Sequence, residues 1–290
     1  MSEMSSRRSG IALVTAAAVA WSTAPFFTRL LHFDSWTILF WRGLFGGGLI
    51  TALLVLTQGR AGLRDLIATG RSGWLVACLS TLGMVSFIPA LQLTSVSNVA
   101  IIIATGPFVA AGLAWIWLRE AARLTTLIAS LVALCGVAII VGNAGGVSDA
   151  RGIGLACLVT LAIAAMTVAI RRYKQISMVA AAALSNFLGS LVSIPFAEGI
   201  ARVTATDIFI LAMFGSFQVA LGLTLFVLGS RQLPSGQASL IATLETPLMP
   251  FWVWLAFQEI PTTRALFGGA LVMGAVLADI IADSRAHARP

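Results

Sequence analysis

Apolar runs of about 20 residues recur along the chain, each closed by a short polar stretch that carries arginine. As an α-helix, a run of that length spans the roughly 30 Å hydrocarbon core of a bilayer. The pattern predicts ten spans: 10–31, 36–57, 73–94, 98–118, 124–143, 152–170, 177–198, 207–229, 235–257 and 263–282. Outer-membrane strands would be shorter and alternating, so the fold class is an all-α membrane protein. The loops are too short to hold a separate soluble domain. The first run is longer than a signal-peptide core and reads as an uncleaved span.

Basic residues fall unevenly between the spans. With the N-terminus inside, Arg7, Arg8, Arg60, Arg64, Arg71, Arg119, Arg123, Arg171, Arg172, Lys174, Arg231, Arg285 and Arg289 share one side. The other side has Arg29, Arg151, Arg202 and Arg264, while Arg42 lies within a span. By the positive-inside rule both termini are then cytoplasmic. The tryptophans fit that map as interfacial belts, Trp36, Trp41, Trp252 and Trp254 outside and Trp74, Trp115 and Trp117 inside. Trp21, near mid-span, is the exception.

The ninth span holds the strongest disturbance: a carboxylate, Glu245, with Pro247 and Pro250. A charge at the bilayer centre costs about 3 kcal/mol or more. Each proline removes a backbone hydrogen bond, freeing the carbonyls of Thr243 and Thr246. Protein or a water-lined cavity must receive such groups. Pro107 repeats the arrangement in the fourth span, without the acid.

That repetition extends further. A Gly10-to-Arg29 run parallels a Gly152-to-Arg171 run, and Ala90-Leu-Gln-Leu-Thr-Ser95 parallels Ser230-Arg-Gln-Leu-Pro-Ser235. Glu120 and Glu259 follow the Trp115/Trp117 and Trp252/Trp254 pairs. The chain divides into a first repeat, 1–145, and a second, 146–290. Five spans each, an odd number, make the halves enter the membrane in opposite directions. A 5+5 inverted repeat is the usual architecture of alternating-access transporters, with substrate held near the midplane.

Composition changes the picture only by exclusion. Hydrophobic residues make up 59% and charged residues 10%, and mean hydropathy is +0.97, against about 25% charged in soluble domains. The net charge of +7 does not indicate nucleic acid, because the basic residues lie between apolar runs. Cys78, Cys135 and Cys157 sit inside apolar runs without metal-ligand spacing and read as buried, inert side chains. His32 and His287 lie in a loop and a tail. No catalytic triad, carboxylate pair, metal cluster or phosphate loop appears, and the glycines from Gly43 to Gly48 lack the Lys-Ser/Thr of a nucleotide loop. The chain is therefore expected to be neither an enzyme nor a metal or cofactor protein, and any active transport is secondary.

The chain resembles the EamA branch of the drug/metabolite transporter superfamily over nearly its whole length. The residues that carry the resemblance are Trp21-Ser22, Ala90-Leu91, Ser95-Val-Ser-Asn-Val-Ala100, Pro107, Glu120, Ala238-Ser-Leu240, Pro247 and Glu259. Where many relatives have Gly before the closing Glu, this chain has Arg119 and Gln258; Thr246 also separates Glu245 from Pro247. Within the superfamily it is most similar to the YddG-type exporters of aromatic amino acids. The resemblance implies efflux of small metabolites, helices 1–4 and 6–9 around a central cavity, and helices 5 and 10 at the periphery.

Each candidate site residue has a functional and a structural reading. Glu245 is a neutral structural acid, a contact for a substrate ammonium, or the carrier of a coupling proton. Pro107 and Pro247 kink their helices; the carbonyls of Ile103 and Thr243 then bind a substrate amine, unless Thr105 and Thr246 hydroxyls engage nearby backbone instead. Trp21 packs between helices or forms a wall on which substrate stacks, with Ser22 and Thr23 as small polar contacts. Met84, Phe87, Phe217 and Gln218 lie at similar depth and complete an apolar pocket. Asn186 joins them or bonds a neighbouring helix. Arg42 snorkels to the outer interface or pairs with a carboxylate; the glycines after it allow close helix packing or sliding.

The reading at this level is a multi-pass carrier of a bacterial inner membrane, monomer or homodimer. It exports small metabolites, most of all amino acids including aromatic ones. The alternative is a broader drug or quaternary-amine exporter. A membrane enzyme lacks clustered polar groups here, and a channel lacks rings of like charge.

Overall fold

A computed structural model describes residues 2–67, 69–94, 96–141, 150–173, 177–258, 260 and 262–288. Ser95, Lys174, Glu259, Arg289 and the expected 145/146 boundary lie outside the described residues. Among the described residues the chain is all-helical, and nine helical stretches are long and apolar enough to cross a membrane. The protein is a multi-pass membrane protein.

In chain order the helices are α1 (Ser2–Ser22), α2 (Ala24–Leu30), α3 (Ser35–Gln58), α4 (Arg60–Ile67), α5 (Gly70–Leu93), α6 (Val96–Ala104) and α7 (Gly106–Leu118). There follow α8 (Leu124–Val141), α9 (Ala150–Arg172), α10 (Met178–Ser193), α11 (Ala205–Met213), α12 (Gly222–Ser230), α13 (Ser235–Ala242), α14 (Glu245–Phe257) and α15 (Thr263–Ala288). Three expected spans are therefore broken helices: α1–α2, α6–α7 and α13–α14. The eighth is continuous but locally widened, α11 and α12 being joined by a π-helical stretch, Phe214–Leu221. The 24-residue α5 coincides with the expected third span. α4 is a short helix between spans that hydropathy does not reveal, bracketed by Gly59 and Gly70 at positive φ.

Packing follows one rule of exchange. α3 packs on α10, α7 on α13, and α8 on α15. The contact of α5 with α9 is mirrored by that of α1 with α12, and α5 with α10 is mirrored by α3 with the π-helical stretch. Glycines repeat the correspondence. A side chain at Gly10 would meet Gln232 and Leu233 at 2.9 and 3.1 Å, and one at Gly152 would meet Leu93 and Thr94 at 2.8 Å.

Little hydrophobic force separates helix from lipid, so close backbone approach holds the bundle. Buried alanines such as Ala17, Ala18 and Ala180 to Ala183 supply it, as do facing glycines. A Cβ at Gly268 would lie 2.4 Å from the Gly136 carbonyl oxygen across the α8–α15 contact. Gly46 and Gly215 meet in the same way between α3 and the π-helical stretch. Many large apolar side chains also point outward, with Trp115 and Ile116 65% and 72% exposed. The three cysteines are also exposed, which corrects the expectation of burial. In a bilayer the outer face is apolar too, so a cysteine in an apolar run need not face inward.

Two helix ends depart from ordinary backbone geometry. Arg119 ends α7 at φ 56° and Gln258 ends α14 at φ 58°, both left-handed. Glycine takes this conformation without Cβ strain and is the common residue at such caps. Replacing Arg119 or Gln258 by glycine is expected to raise stability by about 1 kcal/mol each, read as thermal unfolding in detergent. In the same assay Gly268→Val should cost about 1–3 kcal/mol by overpacking the α8 contact. Gly274→Val, on the same helix with nothing within 4 Å, should change stability by less than about 0.5 kcal/mol.

Candidate functional site

Three threonines make the helix breaks. Thr23 donates to the Ala20 carbonyl through its amide at 3.3 Å and its hydroxyl at 2.6 Å. Thr105 donates to Ile102 in the same double fashion, at 3.1 and 2.6 Å, and Thr243 to Leu240 at 3.1 and 2.6 Å. Their backbones are nearly identical at Thr23 and Thr105, with φ/ψ of −76°/−6° and −77°/−7°. Each threonine thus closes one helix with a tighter i→i−3 turn and lets a second helix start beside it. Proline follows two residues later in the first two cases, where a missing N–H costs nothing.

The third break delays its proline to Pro247 and places Glu245 in the first turn of α14. A carboxylate there sits at the positive end of the helix dipole. Glu245 is half-buried, and no described residue forms an ion pair or side-chain hydrogen bond with it. The Thr243 carbonyl, expected to be free, accepts the Thr246 amide at 3.1 Å.

An apolar cavity of about 340 Å³ opens beside the first break, lined by Thr23, Phe26, Phe27, Phe217, Trp252 and Leu255 among others. Its wall is anchored from behind. The Trp252 indole donates to Ser22 Oγ at 2.7 Å, and Ser22 Oγ donates to the Val19 carbonyl at 2.7 Å. Phe27 stacks on buried Phe214 with centroids 5.0 Å apart, and the Arg42 guanidinium lies over the Phe214 ring at 5.4 Å. Arg42 therefore reaches across to the neighbouring helix rather than snorkelling along its own. The ring face offers it a favourable site at the same depth.

At the opposite end of the bundle a polar cavity of about 310 Å³ is lined by Arg7, Glu120, Arg123, Arg171, Ser235 and Gln237, with small residues of α7. Along α1–α2 the two cavities are separated by about 16 residues, or roughly 24 Å of helix. Ion pairs surround this basic end. Arg7 and Arg123 both pair with Asp283, and Arg171 Nε donates to Glu120 Oε2 at 2.8 Å. Gln237 accepts from Arg7 at 2.9 Å and donates to Asp279 at 3.0 Å; Asp279 also accepts from Thr126 at 2.8 Å. Asp279 and Asp283 are 2% and 4% exposed. Sequence reading passed over both, since near the end of a final span they look like solvated tail residues. Their spacing of four, one helical turn, was the signal available.

The two cavities take different shares of the expected site residues. Thr23 and Phe217 line the apolar cavity, and none of the expected set lines the basic-end cavity. Trp21 fills the space left by Gly222, where a Cβ would meet its indole at 2.6 Å, and packs on Phe226 at 5.0 Å. Met84 lies against Gly189, while Phe87 is 38% exposed. Asn186 is fully buried and donates to the Ala182 carbonyl at 2.9 Å, but neither its Oδ1 nor Gln218 Oε1 has a hydrogen-bond partner among the described residues. Pro107 is buried in the first turn of α7. Trp252, expected in an interfacial belt, is instead the hydrogen-bonded wall of a cavity.

The sequence model of the EamA-like transporter family matches residues 8–142 and again 150–278. No curated protein matches the chain. One solved structure, described only as a protein crystal structure, superposes with a TM-score of 0.82 at 18% identity, over 97% of this chain and 100% of that one. At that identity the likeness is one of fold.

Breaking the Trp252–Ser22 bond tests the anchored wall. In a double-mutant cycle of Trp252→Phe and Ser22→Ala, unfolding in detergent should give a coupling of about 1 kcal/mol, the worth of one hydrogen bond.

Proposed function

The chain belongs to the EamA-like transporter family, and from that premise we propose that it is a secondary carrier exporting amino acids, aromatic ones included, by alternating access. The observation that carries this reading is the pair of cavities at opposite ends of one bundle, with the breaks at Thr105 and Thr243 in the helices that lead between them. An aromatic wall of Phe26, Phe27, Phe217 and Trp252 suits an apolar side chain. Polar groups at the basic end suit a zwitterion's charges. The narrower resemblance to YddG-type exporters points the same way.

The exchange rule in the packing supports ten spans in two inverted halves. In that arrangement α8 and α15 form the periphery, α5 is the third span, and the basic end with both termini is cytoplasmic. Rocking of one half against the other would then expose the midplane, where Trp21, Asn186, Gln218 and Glu245 lie, to each side in turn. Substrate must stabilise the occluded arrangement more than the open ones, since equal affinity for all states moves nothing. A quaternary-amine exporter is the second reading, favoured by Glu245 having no ion pair among the described residues and by the aromatic side chains of the apolar cavity.

Uptake of a labelled amino-acid panel into proteoliposomes, with and without an imposed pH gradient, tests the proposal. Saturable L-phenylalanine uptake with counterflow is expected; flux rising linearly with concentration would overturn the carrier reading. Rates indifferent to the gradient would exclude proton coupling. Glu245→Gln with a wild-type rate and pH profile would assign Glu245 to structure. Inhibition by cationic dyes but not by amino acids would favour the second reading.

A further inference from the structure

The basic-end cavity holds a donor that the protein leaves unused. Ser235 is 1% exposed, lines the cavity, and its Oγ has no hydrogen-bond partner among the described residues. Buried hydroxyls are normally satisfied, so this one has bonding capacity to spare. Its neighbour Gln237 differs, with both ends of its amide engaged, one by Arg7 and the other by Asp279.

Ser235 also opens α13. The Ala238 amide bonds to the Pro234 carbonyl at 2.9 Å, so the helix is wound from its first residue. The amides before Ala238 lack intrahelical acceptors, and the positive end of the helix dipole coincides with them. Gly236 keeps this turn close to α7, where a Cβ would already meet Ala111 at 3.3 Å. Across the cavity stand three guanidiniums, Arg7, Arg123 and Arg171, and one carboxylate, Glu120. Asp283 holds Arg7 and Arg123 from behind, and Glu120 holds Arg171 on one edge. Guanidinium and backbone amide have donors only, and a hydroxyl can donate as well as accept. The first amides of α13 and the Ser235 hydroxyl therefore suit an acceptor, and the positive end of the helix dipole favours an anionic one, while the guanidiniums are matched by Asp283 and Glu120.

We propose that this cavity is a vestibule that binds the carboxylate of the transported metabolite, with Ser235 Oγ and the first amides of α13 donating to it and Arg123 and Arg171 balancing its charge. The inference rests on the carrier reading and sharpens it: the substrate class is carboxylate-bearing, and bare cations are left out. An anionic lipid headgroup offers similar oxygens, but the proposal is for the soluble carboxylate.

The test is titration calorimetry on the purified chain in phosphatidylcholine nanodiscs. The probes are L-phenylalanine, 3-phenylpropionate, which keeps the carboxylate and lacks the amine, and phenethylamine, which does the reverse. Phenethylamine should bind about tenfold more weakly than 3-phenylpropionate, or worse. Ser235→Ala should weaken both carboxylates about tenfold and leave phenethylamine unchanged, while Ser235→Thr, which keeps the hydroxyl, should recover most of the loss. Equal binding of 3-phenylpropionate by wild type and Ser235→Ala would overturn the proposal. So would phenethylamine binding as tightly as 3-phenylpropionate, or competition by phosphatidylglycerol with no carboxylate binding in its absence. Carboxylate binding that depends on Ser235, in a protein that moves no amino acid, would sink the export reading and keep the vestibule. Normal L-phenylalanine uptake with an unchanged KM in Ser235→Ala would do the opposite.

Discussion

A helix inside a bilayer can be interrupted only if the backbone groups it releases find partners within the protein, because lipid offers none. This chain meets that constraint three times with the same device. A threonine places amide and hydroxyl on one carbonyl, so the closing turn of the first helix is satisfied before the second begins. The breaks then cost little, and they are where the backbone changes direction beside the cavities. The apolar wall lies beside Thr23, the acid two residues after Thr243, and the buried proline two residues after Thr105.

Around the breaks, packing supplies rigidity where polarity supplies register. Gly136 against Gly268 and Gly46 against Gly215 bring backbones closer than any side chain would permit. Such surfaces hold by van der Waals contact, which changes little as one smooth face slides along another. The basic end is different. There Asp283, Glu120 and Asp279 fix particular partners, so any movement at that end would exchange discrete bonds rather than slide.

Much of the fold was legible because hydropathy in a membrane is a strong signal with a known length. The span boundaries fall within a few residues of the helices, and Pro107 and Pro247 identified two of the three interrupted spans. The break at Thr23 has the same signal in Pro25, two residues on. The π-helical stretch was invisible, since it keeps the same apolar composition while shifting the phase of Phe217 and Gln218. The departures at Arg119 and Gln258 from glycine were visible as letters; their meaning, a left-handed cap, needed backbone angles. Depth along the sequence also proved a poor guide to company. Trp21 and Phe217 lie at similar depth, yet one fills a packing gap and the other lines a cavity. Hydropathy reports how far into the membrane a residue lies and is silent about which way it turns.

Asp283 joins two arginines that lie far apart in the chain, and one of them, Arg7, precedes it by 276 positions. During synthesis the first helix enters the membrane long before its partner exists. At about 5–20 residues per second the wait is roughly 15–55 s. Over that interval the Arg7 end of α1 must be held by water, headgroups or the insertion machinery. The ion pair therefore forms as one of the last events of assembly, so the bundle closes on itself only when the final helix arrives. A chain truncated before α15 would lack the one carboxylate that Arg7 and Arg123 share.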